Sequence, residues 1–176
     1  MKKLLVLASL AVLASCSRLG EEDARRAVHT YLDRLVLAYR AADASLVDPL
    51  VGDVQGTKLL GLIGVKHDAG VVLDAKLLEL QFTRVERNGK RWIVETNERW
   101  YYRDRKITTG EQQGEDSLDS SSMRYAFEVK DGRLILEDLE FVGKPVVGRK
   151  SMPMPSDPKS FHGIVTPGAG APASRP

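Results

Sequence analysis

Glu79 and Glu98 are the residues whose types and spacing most suggest chemistry. They lie on either side of Asn88-Gly89, a dipeptide suited to a two-residue type I′ turn between strands. Counting outward from a tight turn pairs Val85 with Trp92, Thr83 with Val94, Gln81 with Thr96 and Glu79 with Glu98. Leu77 then meets Trp100, and Ala75 meets Tyr102. All fall on one side, because strand side chains alternate with period two. Two carboxylates opposed on a half-apolar surface repel, and one takes a raised pKa, which is how a cleft assembles an acid–base pair. Tyr31 or Tyr125 would supply such a base with a hydrogen-bond donor. A plainer reading competes: a bulge displaces one carboxylate, or Arg99, Arg84 or Lys76 neutralises the pair. Leu78, Leu80, Phe82 and Ile93 make the other face apolar as well, so a register change within the strand fits equally.

The other reactive residue types point nowhere in particular. His29 falls on the polar side of a helical stretch, His67 precedes a loop, and His162 lies near the end; none has metal-ligand or triad spacing. Ser120-Ser121-Ser122 lacks the glycine pattern of a nucleophile elbow, and no glycine-rich phosphate loop occurs. Glu111, Glu115, Asp116 and Asp119 lie in an oxygen-rich connection, but their spacing fits no calcium loop. Neither a metal nor a cofactor is therefore expected. The aromatic residues Trp92, Trp100, Tyr102, Tyr125 and Phe127, with Tyr31, are the candidates for lining a ligand pocket. The competing reading is that they pack as core.

The elements that must position these residues follow from periodicity. Ala24, Ala27, Val28, Tyr31, Leu32, Leu35 and Ala38 recur at helical spacing behind Glu21, Glu22 and Asp23, which suit a helix N-terminus. This predicts an amphipathic helix of about five turns ending near Asp43. Ser45 offers a cap for a short turn containing Pro49. A further apolar helix runs over 58–66; Gly56, Gly61 and Gly64 weaken it and would let it lie close against a sheet. Two hairpins are then expected, 74–87 with 90–103 and 121–130 with 133–142, the second turning at Asp131-Gly132. In that hairpin Val129 should face Leu134, Phe127 face Leu136, Tyr125 face Asp138 and Met123 face Glu140. Strands of this length predict twist, curvature and at least one bulge. Residues 104–120 join the hairpins, with Ile107-Thr108-Thr109 adding a little edge strand. The fold class is thus α+β, with N-terminal helices packed on a curved antiparallel sheet of about four long strands.

The ends of the chain differ from its body. Lys2-Lys3, the apolar stretch Leu4 to Leu13 and the small residues Ala14-Ser15 have the three parts of a secretory signal, too short to span a bilayer. Leu13-Ala14-Ser15-Cys16 closely resembles the lipobox of bacterial lipoproteins, and Cys16 is the only cysteine. The resemblance implies cleavage before Cys16, a diacylglyceryl thioether on it and an acyl chain on the new N-terminus, enough for stable anchoring in membrane lipid. Ser17, where an Asp tends to retain such proteins at the inner membrane, leans toward the periplasmic face of the outer membrane. The expected domains are a signal over 1–15, a tether over 16–20, a globular body over 21–142 and a tail over 143–176. The mature chain has 24 basic and 24 acidic residues, which argues against a nucleic-acid partner. Its tail, with five basic residues against one acidic and seven of the chain's eight prolines, is expected to be unstructured, and leaves the body at −4.

The order of elements carries a second resemblance. A long helix ending in Ala38-Tyr39-Arg40-Ala41-Ala42-Asp43-Ala44-Ser45-Leu46 is followed by a turn, another helix, and hairpins containing Trp92-Ile93-Val94 and Asp131-Gly132-Arg133-Leu134. This resembles the nuclear transport factor 2-like superfamily over 21–142. The resemblance implies a cone-shaped fold with a cavity between helices and sheet. Enzymatic members often pair through the sheet, so a homodimer is one partner option. Three functions then compete: a non-enzymatic envelope lipoprotein binding a small apolar ligand or a partner protein, an isomerase- or dehydratase-like enzyme with Glu79 or Glu98 as base, and an assembly factor of an envelope apparatus that engages an envelope protein.

Overall fold

The computed structural model describes residues 19–143 and the backbone of 146–149; Cys16, the signal segment and most of the tail lie outside the described residues. Helix α1, Glu21–Ala41, buries Ala24, Val28, Tyr31, Leu32, Leu35 and Ala38, the apolar stripe that its periodicity predicts. The Asp23 carboxylate accepts the Gly20 N–H at 2.8 Å and closes its first turn. Ala42, at φ 52°, ends it in a left-handed cap. Asp43 caps the short 3₁₀ turn Ala44–Leu46, accepting from both the N–H and the hydroxyl of Ser45, so Ser45 lies inside this turn and does not cap the one with Pro49. A second such turn holds Pro49. Helix α2 is longer than its apolar stretch, Asp53–Asp68.

Strands β1 (Val71–Asn88), β2 (Arg91–Lys106), β3 (Gln112–Lys130) and β4 (Arg133–Phe141) form an open, curved antiparallel sheet in that order. Both helices cover one face. Helix α1 lies along β1, with Arg25 over the Phe82 ring (4.9 Å) at one end and Arg40 on Asp74 (3.0 Å) at the other. Helix α2 reaches from β4, through Gln55 to Asp138 at 3.0 Å, to β2, through Lys66 to Asp104 at 2.7 Å. The enclosed core centres on Val28, Val47, Val94, Tyr125, Phe127 and Leu136, each at most 1% exposed.

The first hairpin departs from simple counting in an instructive way. Its two turn residues are Gly89-Lys90, one position later than Asn88-Gly89, so Val85 pairs with Val94 instead of Trp92. Two bulges on β1, which leave Leu78 and Thr83 as extra residues, each take back one position. By Leu77↔Trp100 and Ala75↔Tyr102 the pairing is the one counting gives. Glu79 falls between the bulges and pairs with Arg99, so the two carboxylates are not opposed. In the second hairpin Val129↔Leu134 and Phe127↔Leu136 hold. A bulge at Glu137 then moves Tyr125 to Leu139 and Met123 to Phe141.

Residues 112–120, expected in a connection, are the first half of β3, and Ile107-Thr108-Thr109 forms a turn instead of an edge strand. Within the expected tail, Val146–Arg149 forms β5, which pairs with Ser117–Ser120 of β3 and continues the edge that β4 begins. The α2 glycines do not press on the sheet. A Cβ on Gly61 or Gly64 would meet nothing within 4 Å, and one on Gly56 would touch only Val51 and Asp48. Gly52 is the glycine that a close approach requires: its N–H donates to the Leu136 carbonyl (2.8 Å), and a Cβ there would stand 2.6 Å from the Glu137 carboxylate.

Candidate functional site

The concave face of the sheet and the two helices enclose a cavity of about 330 Å³. Strand alternation turns Glu98, Trp100 and Tyr102 of β2 and Met123 and Tyr125 of β3 inward. Helix α1 adds Tyr31, Leu35 and Tyr39 at spacings of four, so they stand on one face. Helix α2 adds Leu59 and Leu62, and β4 adds Leu139 and Phe141 at the mouth.

Glu98 is the polar centre of this wall. It is 5% exposed, and both carboxylate oxygens are engaged. Oε1 accepts from the Thr96 hydroxyl at 2.7 Å and from the Tyr125 hydroxyl; Oε2 accepts from the Trp100 indole N–H at 2.7 Å. Glu79 is elsewhere. It is exposed on the strand and takes Arg99 at 3.0 Å, while Arg84 serves Glu86 and Glu95. The proposed acid–base pair is thus dissolved by the register, and Arg99 is the neutralising partner.

The aromatic candidates separate in the same way. Tyr31, Trp100, Tyr102 and Tyr125 line the cavity. Trp92 and Phe127 do not: Phe127 stacks beneath Tyr125 with ring centroids 6.2 Å apart, and Trp92 is buried near the hairpin turn under the Arg87 guanidinium. Tyr39 and Phe141 are lining aromatics absent from the candidates, although the place of Tyr39, eight residues after Tyr31 on an amphipathic helix, marks it. Burial raises all four cavity phenols. Tyr39 is pushed up to about 12, and Tyr31, Tyr102 and Tyr125 lie further above the ordinary range, burial first and the negative charge of Glu98 also contributing. The cavity therefore presents neutral phenols at any physiological pH.

The opposite face carries a separate cluster. Asp116, which belongs to β3, is 2% exposed and accepts from Arg103 at 2.9 Å and from the Tyr101 hydroxyl. Arg103 holds its carboxyl below the usual carboxylate range. His29 sits against Phe82, with centroids 5.4 Å apart, and burial lowers its pKa. Ser122 donates to Asn97 at 2.7 Å. Among the described residues no group of His, Cys, Asp and Glu is arranged to hold a metal ion. No helix among them is long and apolar enough to cross a membrane.

No protein-family profile matches the chain. No curated protein matches it either. Solved structures do. The intermembrane space region of the chloroplast protein ARC6 superposes with a TM-score of 0.62 at 14% identity, over 72% of this chain and 99% of that one. A conserved protein from Planctomyces limnophilus matches at 14% identity over 69% and 99% of the two chains, with a TM-score of 0.46. An NTF2-like protein of unknown function from Shewanella baltica matches at 12% identity over 72% and 100%, with a TM-score of 0.36. The ARC6 likeness is one of fold: helices laid across an open, curved antiparallel sheet.

Proposed function

We propose that this chain is a membrane-tethered envelope lipoprotein without catalytic activity, whose cone holds a small, largely apolar ligand. The observation that carries this reading is the cavity of about 330 Å³, walled by aromatic and aliphatic side chains around a single buried carboxylate. Its size falls within the range of small-molecule sites, which are mostly apolar with a few placed polar groups. Against catalysis stands the state of Glu98. A general base needs a lone pair aimed at the substrate proton. Here both oxygens are committed to protein donors. Glu79, the other carboxylate considered, lies outside the cavity on Arg99.

The tether rests on Leu13-Ala14-Ser15-Cys16. Three residues lie between Cys16 and Gly20, and an extended chain spans about 14 Å from one to the other, so an acylated Cys16 would hold the body against the bilayer. Ser17 favours the outer membrane's periplasmic face. The open mouth supports a second occupant, an apolar segment of an envelope partner: Leu62 and Phe141 line it and are 43% and 61% exposed.

Native mass spectrometry of protein extracted from membranes should show a retained small molecule, and a clean apo mass overturns the ligand reading. In-cell crosslinking from position 141 that captures one envelope protein would favour the partner segment instead. Cys16→Ala should release the protein from membranes and abolish acyl labelling; unchanged fractionation and mass would remove the tether.

A further inference from the structure

We propose that the ligand of the cone is an organic cation, an alkylammonium group on an apolar body. This deepens the ligand-binding reading above and rests on it. Three carboxylates in the described residues are buried: Asp74, Glu98 and Asp116. Two of them have arginine partners. Asp74 takes Arg40 at 3.0 Å and Arg105 at 3.1 Å, and Asp116 takes Arg103 at 2.9 Å. Glu98 is the exception. Its partners are a threonine hydroxyl, a tyrosine hydroxyl and an indole N–H, and among the described residues no cation pairs with it.

All three partners donate and both oxygens accept, which is the hydrogen-bonding pattern of a carboxylate. A buried anion held by neutral donors alone still lacks a counter-charge. The carboxylate that lacks one is also the one that borders a cavity.

The wall is matched to a cation rather than to water. Six of the chain's eleven aromatic residues line the cavity: Tyr31, Tyr39, Trp100, Tyr102, Tyr125 and Phe141. The faces of such rings carry negative potential and attract ammonium groups, most strongly where water is excluded. A quaternary alkylammonium has no N–H and so needs no hydrogen-bond acceptor, only charge and π surface, which suits a carboxylate whose two oxygens are already engaged. Its apolar body would lie along Leu59, Leu62 and Leu139 toward the mouth. Lys58 is the one cation among the lining residues, and it stands 3.7 Å from Asp138, more than half exposed. An anionic ligand would face Glu98 and the ring faces together. A neutral one would leave the buried charge as it is.

The test titrates the purified full-length chain with octyltrimethylammonium, octan-1-ol and octanoate below their micelle-forming concentrations, read by calorimetry and tryptophan fluorescence. The ammonium should bind about tenfold tighter than the alcohol, with octanoate weaker than both. Equal or tighter binding of the alcohol or of octanoate overturns the charge preference and leaves the ligand-binding reading standing; no binding of any probe overturns both. Glu98→Gln should bring the ammonium and the alcohol to within about threefold of each other. Tyr102→Leu serves if that variant does not fold. It keeps Glu98 and removes one ring, and should weaken the ammonium about fivefold more than the alcohol. Equal losses for the two probes would overturn the role of the rings.

Discussion

Glu98 shows how a polar side chain can stand at the centre of a core with both of its oxygens engaged. Replacing it with alanine would leave Trp100 Nε1 and two hydroxyls facing an emptied space. Urea titration should find Glu98→Ala less stable by about 3–5 kcal/mol, and Glu79→Ala, which loses only an exposed ion pair with Arg99, within about 0.5 kcal/mol of the parent. Equal effects at the two sites would contradict the difference in burial. The sequence reading singled out both residues, and it placed Trp100 and Tyr102 on the inner face with Glu98, because alternation along one strand needs no knowledge of its neighbour. What it missed was the partner. The facing residue depends on where the turn falls and on every bulge between, and Leu78 and Thr83 carry no local signature distinguishing them as the residues left over. Asp116 escaped for a related reason: its arginine lies 13 residues earlier in another strand.

At the scale of elements, legibility followed amphipathic contrast. Helix α1 was readable because its apolar stripe and its charged flank alternate cleanly. The first half of β3, Gln112 to Ser120, reads as a loop because, apart from Leu118, it is Gln, Gly, Glu, Asp and Ser at an end of the sheet where few side chains need to be apolar. Its strand character comes from pairing with β2 on one side and β5 on the other, which composition does not encode. In α2 the glycines looked like contact points and are not. Gly61 faces open space inside a helix, so Gly61→Ala should raise stability by about 0.5–1 kcal/mol through the lower flexibility of the unfolded chain. A loss on chemical denaturation would mean that α2 packs against something at that point. Gly52→Ala should do the opposite, since its Cβ must displace the Glu137 carboxylate from its place beside Lys130.

For the molecule as a whole, the four cavity tyrosines set an alkaline limit. Their folded pKa values are raised above the ordinary 10.0, Tyr39 to about 12 and the others further. In the unfolded chain they would ionise near 10. Below that pH both states are protonated and the fold keeps its full stability; from pH 10 upward the unfolded state sheds protons first and stability falls. Tyrosinate absorbance should therefore appear together with loss of helical dichroism as pH rises through 10–12. Tyrosinate titrating ahead of that loss would contradict the burial of the cavity phenols; the Tyr101 phenol on the opposite face is likewise buried and pushed up to about 12. The same whole-molecule view gives β5 a meaning beyond sheet topology. It is the only cover for the backbone of Ser117–Ser120 on that side of β3 among the described residues. A chain cut after Val142 would keep every residue of the cavity and still expose a row of unsatisfied amides, which recruit strands from other molecules. Such a truncation should sediment as oligomers where the full chain does not, so β5 acts as a seal against self-adhesion.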